Sequence, residues 1–113
     1  MTNPTNTTLM WRSDLDFAGL RFKTRAETLG ATVHCSATKP SQDYGAVEVD
    51  RMHRQRGFLC IGYHFVIGNG VGMSDGEIHV GRRWLDQLPG AHVAGPAGDS
   101  LNEHAIGICL VGD

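Results

Sequence analysis

The sequence lacks the long apolar runs that carry a chain into or across a membrane. No run approaches the ~20 apolar residues that span a bilayer, and no basic start followed by an apolar stretch marks a signal peptide. The 113 residues carry a formal net charge of -2, which gives no electrostatic reason to expect nucleic acid or an anionic membrane as a partner. We therefore expect a protein that stays in the cytoplasm where it is made.

Cysteine is scarce, and its positions follow no known framework. The cysteines are odd in number (Cys35, Cys60 and Cys109) and lack the spacing of a zinc knuckle or a set of disulfides. Each lies in or beside an apolar run, which favours buried free thiols in a reducing compartment. Histidine, with six copies, is abundant for this length. The histidines are therefore the first residues to examine for function.

Length and composition predict one globular domain. Hydrophobic residues make up 41% of the chain and charged residues 19%, which is ordinary for a soluble protein of this size. Residues 1–10 are polar and turn-prone, so we expect disorder there. Leu20-Arg21-Phe22 could form a short edge strand.

One helix is predicted between two turn-rich segments. Residues 44–56 carry the spacing i, i+3, i+4, i+7 of a helix with one buried face. Asp43 or Ser41 is the expected N-cap, and Gly57 the expected residue of the C-terminal cap. His53 lies on the buried face, where a core histidine with a satisfied hydrogen bond is a better explanation than a ligand.

Strands are predicted before and after this helix. Residues 31–35 form the first, and residues 59–67 a central strand with apolar side chains on both faces. Its alternation places Tyr63 and His64 on opposite faces. Residues 77–80 complete a hairpin, residues 81–100 are mostly loop, and residues 106–111 form the last strand. This order predicts an α/β sandwich with a mixed sheet.

Several side chains could do chemistry, although each has a plain structural explanation as well. His34 ends a strand beside an apolar wall, a good setting for a zinc ligand. Tyr63 could direct its phenol at a developing oxyanion. Trp84 and His92 share a glycine-rich loop and could form a platform for a sugar or peptide, or Trp84 could simply fasten that loop to the core.

Taken in order, these segments resemble the type 2 N-acetylmuramoyl-L-alanine amidases and peptidoglycan recognition proteins, and among them the small T7-type phage lysozymes. The matching segments are Val33-His34-Cys35-Ser36-Ala37-Thr38-Lys39-Pro40-Ser41, His53 with Gly57, Gly62-Tyr63-His64-Phe65, Gly81-Arg82 with Trp84, Gly90-Ala91-His92 with Gly95, and Asn102 with Ile106-Gly107. The resemblance implies an α/β fold with a central mixed β-sheet flanked by helices and incomplete at the C-terminus. It places the domain at residues 21–113, after a partly disordered N-terminal extension at residues 1–20.

The resemblance also implies a reaction. The family hydrolyses the amide bond between N-acetylmuramoyl and L-alanine of peptidoglycan, with one zinc held by two histidines and a cysteine or aspartate. By position, His34 matches the first zinc ligand and Tyr63 the catalytic tyrosine. The positions that match the surroundings of the substrate groove are His64, Trp84, His92 and Asn102.

The sequence departs from this family in one large respect. The other zinc ligands of the family follow the strand that matches residues 106–111, and the present sequence ends at Asp113. A catalytic zinc needs about three protein ligands. We therefore expect these 113 residues to hold zinc poorly and to be inactive as an amidase.

Three functions remain open at this point. The first is an endolysin of the amidase class, made in the host cytoplasm and acting on the cell wall after release. The second is a module that binds muropeptide without cleaving it. The third is a regulator that binds the phage RNA polymerase, which the T7-type lysozymes also do, and which would involve the extension at residues 1–20.

Overall fold

The computed structural model describes residues 27–96 and 98–113. The extension at residues 1–20 and the expected edge strand at residues 20–22 lie outside these ranges. The elements in chain order are β1 (Gly30–Cys35), α1 (Ala46–Gln55), β2 (Phe65–Ile67), β3 (Ile78–Val80), α2 (Arg82–Leu85), α3 (Gly98–His104) and β4 (Ala105–Leu110). Within the described ranges, no helix has both the length and the apolar character needed to cross a bilayer.

The strands form one mixed sheet in the order β1-β4-β2-β3. Strand β4 runs parallel to both β1 and β2, whereas β2 and β3 form an antiparallel hairpin. Val66 in the middle of β2 pairs with Cys109 on one side and His79 on the other. The predicted α/β fold with a mixed sheet, a central second strand and a hairpin is confirmed.

The core lies between the sheet and one face of α1. That face consists of Ala46, Val49, Asp50 and His53. The apolar side chains that it meets come from the sheet and the loops beside it, and they are Cys60, Ile61, Val66, Met73, Cys109 and Val111. Burial of His53 within this face confirms the prediction of a core histidine.

The N-terminal cap of α1 differs from the prediction. Gly45 is the N-cap, so the expectation of Asp43 or Ser41 is wrong. The backbone N–H of Gly45 donates to Glu48 Oε1 at 2.8 Å, and a Cβ at residue 45 would lie 2.6 Å from the Cγ atom of Met73. The close approach of Met73 therefore requires glycine where a polar cap was expected.

The C-terminus of α1 follows the prediction. Gly57 has φ of +95°, the left-handed conformation that glycine adopts without strain. Phe58 N–H donates to the carbonyl oxygen of His53 at 2.9 Å, and Gly57 N–H donates to that of Arg54 at 3.0 Å. These two bonds form a Schellman motif, which turns the chain back over the helix.

The predicted strand at residues 59–67 is wrong in its extent, because only Phe65–Ile67 pair as β2. Ahead of it, the backbone of Ile61 and Gly62 bonds to side chains instead. These bonds involve Asp50, His53 and Arg83. Since buried backbone groups must find partners, the side chains replace a neighbouring strand here.

Residues 81–100 are mostly loop, as predicted, and they also contain α2 and the start of α3. These two short helices have too few apolar positions to show a period. The prediction that all three cysteines are buried needs correction. Cys35 is exposed, whereas Cys60 and Cys109 are buried, and all three are free thiols. Cys35 lies on the edge strand β1, whose alternate side chains face away from the core.

Candidate functional site

The structure brings three of the predicted site residues into one cluster of rings. His34 comes from β1, Tyr63 from the segment before β2, and His92 from the loop between α2 and α3. The centroid of the His34 ring is 5.3 Å from that of Tyr63 and 5.2 Å from that of His92. His53 flanks Tyr63 on α1, with ring centroids 5.2 Å apart. Residues 58 positions apart in sequence therefore meet at one point.

A groove of about 360 Å³ opens beside this cluster. Its lining consists of His53, Arg56, Phe58, Tyr63, Ala91, His92, Val93, Ala94 and Asn102. Its volume is within the range of small-molecule sites in proteins. Three predicted site residues lie in this lining, and His34 contacts two of them through its ring.

Buried polar side chains hold the segment that carries Tyr63. Asp50 Oδ1 accepts from Ile61 N–H at 3.1 Å, and His53 Nδ1 accepts from Gly62 N–H at 2.9 Å. Arg54 Nε donates to the other oxygen of Asp50 at 2.8 Å, which compensates the charge of this buried carboxylate. The segment is therefore fastened to α1 at two consecutive backbone N–H groups.

Arg83 joins this segment to the loop that carries His92. Its side chain is almost fully buried, with 3% of its surface exposed. Its Nε donates to the carbonyl oxygen of Ile61 at 2.8 Å, and its Nη1 donates to that of Pro89 at 2.9 Å. Burial lowers the pKa of Arg83, and the neighbouring Cys60 opposes this change. A single guanidinium therefore fixes the two chain segments that line the groove.

The ring of Tyr63 faces the groove. Burial, followed by the neighbouring Cys109 thiol, raises the pKa of Tyr63 to about 12. Tyr63 is therefore protonated at neutral pH, and its hydroxyl can donate a hydrogen bond.

Asn102 shapes the groove through the backbone of the His92 loop. Its Oδ1 accepts from the N–H groups of His92 at 2.8 Å and Val93 at 3.0 Å. Its Nδ2 donates to the carbonyl oxygen of Val93 at 3.0 Å. The amide of Asn102 is thus used by the protein, and its role at the groove is to hold the loop.

His64 and Trp84 lie outside the lining of the groove. His64 is fully buried, with Nδ1 accepting from Gly107 N–H at 2.9 Å and Nε2 lying 3.0 Å from the carbonyl oxygen of Leu88. Trp84 packs against Phe65 and the edge of His64, at centroid distances of 5.2 and 6.5 Å. The His64 ring does not line the groove, but it contacts His92, which also contacts His34.

The described residues do not assemble a complete zinc site. Within residues 27–96 and 98–113, no group of three or more His, Cys, Asp or Glu side chains could hold a metal ion. His34 Nε2 and His92 Nδ1 lie 3.1 Å apart and hydrogen bond to each other. Burial lowers the pKa of His34, which favours the neutral ring that metals bind. His34 therefore lies at the position where the resemblance expects the first zinc ligand.

Sequence analysis missed the residues that hold the site in place without lining the groove. Asp50 and Arg83 bond to the segments of the site, yet neither stood out in the sequence. Arg83 follows Arg82 directly, and nothing in the pattern distinguishes the buried arginine from the partly exposed one. Only the fold shows that two carbonyl oxygens converge on Arg83.

Comparison with known proteins identifies the family. Residues 24–113 match the family model for N-acetylmuramoyl-L-alanine amidase. The chain belongs to this family. It is 44% identical over 96 residues to the endolysin of Enterobacteria phage T3 and 41% identical over 95 residues to that of Escherichia phage T7. Each match covers 84% of this chain and 55% of the endolysin, so the chain spans about half the length of these relatives.

Solved structures support the same fold for this amidase-family chain. The N-acetylmuramoyl-L-alanine amidase LysCS from Clostridium intestinale superposes with a TM-score of 0.56 at 24% identity, over 83% of this chain and 56% of that one. At this identity the match shows the fold alone. The resemblance to amidases and to phage lysozymes of the T7 type is confirmed, whereas the role in binding RNA polymerase stays a prediction.

Replacing Arg83 with Met should destabilise the protein by about 3 kcal/mol, because the buried carbonyl oxygen of Ile61 and the partly buried one of Pro89 lose their donor. Urea unfolding would measure this change. The matched control is Arg82→Met on the same helix, whose ion pair with Asp86 is on the surface and is worth at most about 1 kcal/mol. Equal losses in the two variants would contradict the proposed tether.

The free energy of unfolding should fall at low pH, in part because of His53. Burial, followed by Arg56 and Arg83, lowers the pKa of His53 from 6.5 to about 4. The unfolded chain therefore binds this proton first, so its contribution to stability is fully present above about pH 6.5 and is lost as the pH falls toward 4. Between about pH 7 and pH 5 the loss should be about 2 kcal/mol.

Urea unfolding at these two pH values would measure the loss in the wild type and in His53→Asn. The asparagine keeps an acceptor near the Gly62 N–H but does not titrate, so the loss at low pH should shrink by the contribution of His53. An unchanged pH dependence in the variant would show that other groups cause the loss.

Proposed function

We propose that this amidase-family protein cleaves the amide bond between N-acetylmuramoyl and L-alanine of peptidoglycan, as a phage endolysin does, and that the present residues form the first part of its site. One observation carries the proposal. His34 and Tyr63, which match the first ligand and the catalytic tyrosine by position, lie in contact beside a groove. The proposal places its synthesis in the host cytoplasm and its action at the cell wall after release.

The groove suits a muropeptide in its chemistry. The guanidinium of Arg56 lies 5.2 Å from the ring centre of Phe58 at the groove. A cation of this kind can pair with a carboxylate of a stem peptide, and the apolar side chains of Phe58, Ala91 and Val93 can contact its methyl groups. Binding of muropeptide is therefore the function that the described residues support by themselves.

Zinc in this family supplies the Lewis acid and the activated water of the hydrolysis. Since the described residues include no set of three ligands, we propose that the 113 residues alone bind muropeptide without cleaving it. Muropeptide binding is therefore the function proposed for these 113 residues by themselves, and cleavage requires further zinc ligands besides His34.

Tyr63 has a role that this chain's own residues can explain. Its raised pKa keeps the phenol protonated, so it can donate to the oxygen of an amide as negative charge develops there. The groove that Tyr63 lines gives a substrate access to this residue.

The purified 113-residue protein should bind muropeptide but contain little zinc. We expect well under one zinc per chain by elemental analysis after dialysis against a trace of zinc. We expect a soluble muropeptide to bind, as measured by calorimetry, without release of its peptide. Arg56→Met should weaken binding about tenfold or more. Arg51→Met should not, because Arg51 lies on the helix that Arg56 caps but is absent from the groove lining.

Two results would contradict these expectations. One zinc per chain together with hydrolysis would show that other residues complete the site in this chain. Failure of a folded, zinc-free sample to bind muropeptide would remove the function proposed for the groove.

A further inference from the structure

His64 is fastened to one residue of strand β4 by two hydrogen bonds. Its backbone N–H donates to the carbonyl oxygen of Gly107 at 2.8 Å, and its ring Nδ1 accepts from the N–H of the same residue at 2.9 Å. The side chain is fully buried. The position of the ring relative to the sheet is therefore fixed.

The same contacts determine which ring nitrogen of His64 carries the hydrogen. A backbone N–H can only donate, so Nδ1 has no proton and the proton of the ring lies on Nε2. Nε2 lies 3.0 Å from the carbonyl oxygen of Leu88, which can only accept. Both contacts require the same tautomer, in which His64 Nε2–H donates to Leu88.

The loop after α2 packs directly on the His64 ring. A Cβ at Gly90 would lie 3.0 Å from His64 Cε1, so a side chain at this position would crowd the ring. Gly90 N–H donates to the carbonyl oxygen of Asn102 at 2.8 Å. Residues 88 and 90 of one loop thus both contact the ring, the first by a hydrogen bond and the second by close packing.

Two consecutive carbonyl groups of this loop are held by buried donors. Leu88 accepts from His64, and Pro89 accepts from Arg83 Nη1 at 2.9 Å. Proline has no backbone N–H, so the backbone of residue 89 can be held only through its carbonyl oxygen. The bond from His64 holds the residue directly before it.

The residues that follow form one wall of the groove. Residues 91–94 all belong to its lining, and Ala91 N–H donates to the carbonyl oxygen of Gly62 at 2.9 Å. His64 is absent from that lining. The position of Leu88 therefore affects the shape of the groove, although the His64 ring does not reach a molecule bound there.

We infer that His64 is a positioning residue, whose Nε2–H holds Leu88 and thereby sets the wall of the groove that a muropeptide contacts. This role differs from the place around the substrate that the resemblance implies for His64. The nature of the ligand rests on the proposed function, whereas the attachment of the loop to His64 does not.

Two variants of the full 113-residue chain separate the two bonds of the ring. His64→Asn keeps an acceptor for Gly107 N–H, because the amide oxygen takes the place of Nδ1, but it has no donor that reaches Leu88. His64→Gln places its amide donor near Leu88 and leaves Gly107 N–H without its acceptor. By calorimetry we expect His64→Asn to weaken muropeptide binding about tenfold, and His64→Gln to bind like the wild type.

Val66→Ala is the matched control for a general loss of stability. Val66 is fully buried in β2, two residues after His64, and it does not line the groove. The variant should lower the urea midpoint and leave the affinity for muropeptide unchanged. Wild-type affinity in His64→Asn, or an equal loss of affinity in the asparagine and glutamine variants or in Val66→Ala, would overturn the positioning role.

Hydrogen exchange tests the attachment of the loop without any ligand. The N–H groups of Gly90 and Ala91 should exchange faster in His64→Asn than in the wild type, measured relative to Ile108 N–H in β4, and His64→Gln should restore their protection. Unchanged exchange of these two groups in a folded asparagine variant would overturn the inference.

Nuclear magnetic resonance of the wild type with ¹⁵N-labelled histidine provides a test that needs no variant to fold. We expect the proton of His64 on Nε2, and a proton on Nδ1 would overturn the inference. If the wild type binds no muropeptide while Gly90 and Ala91 respond to the variants as expected, only the proposed function fails. If it binds muropeptide and the loop does not respond, only this inference fails.

Discussion

The structure depends on buried polar side chains that satisfy backbone groups where no neighbouring strand does so. Asp50, His53 and Arg83 bond the backbone of residues 61 and 62, and His64 accepts from the N–H of Gly107 in β4. Each bond replaces a ladder hydrogen bond that a longer strand would have made. Because an unsatisfied buried backbone group costs roughly 1–3 kcal/mol, these side chains also fix the path of the segment that carries Tyr63.

The same constraint explains how the site is assembled. The tether through Arg83 joins the segment of Tyr63 to the loop of His92, and Asn102 then holds that loop against the start of β4. The rings that line the groove are therefore held in place by side chains inside the protein. Function at the groove and stability of the core are thus coupled through the same few buried groups.

The sequence predicts much of the fold because the fold has strong local signals. The period of α1, the left-handed Gly57 and the hairpin of β2 with β3 follow from apolar spacing and turn residues. The extent of β2 could not be predicted, since an apolar run bonded to side chains looks the same in sequence as one bonded to a strand. Gly45 is the N-cap because the distant Met73 packs against it. A local sequence pattern does not reveal such a contact.

The site was predicted less completely than the fold. The resemblance named His34, Tyr63 and His92, which the structure brings together. It also named His64 and Trp84, which pack against each other outside the groove lining, although His64 also contacts His92. Asp50 and Arg83, which support the site, carry no sequence signal that separates them from ordinary surface residues. Their roles arise only when distant segments converge.

Native-state hydrogen exchange tests the central claim most directly. If side chains hold the segment before β2 as firmly as a strand would, the N–H groups of Ile61 and Gly62 should exchange only with global unfolding, at the same free energy as the N–H of Ile108 in the middle of β4. Exchange of these two groups through local opening, at a free energy several kcal/mol below that of Ile108, would contradict the account.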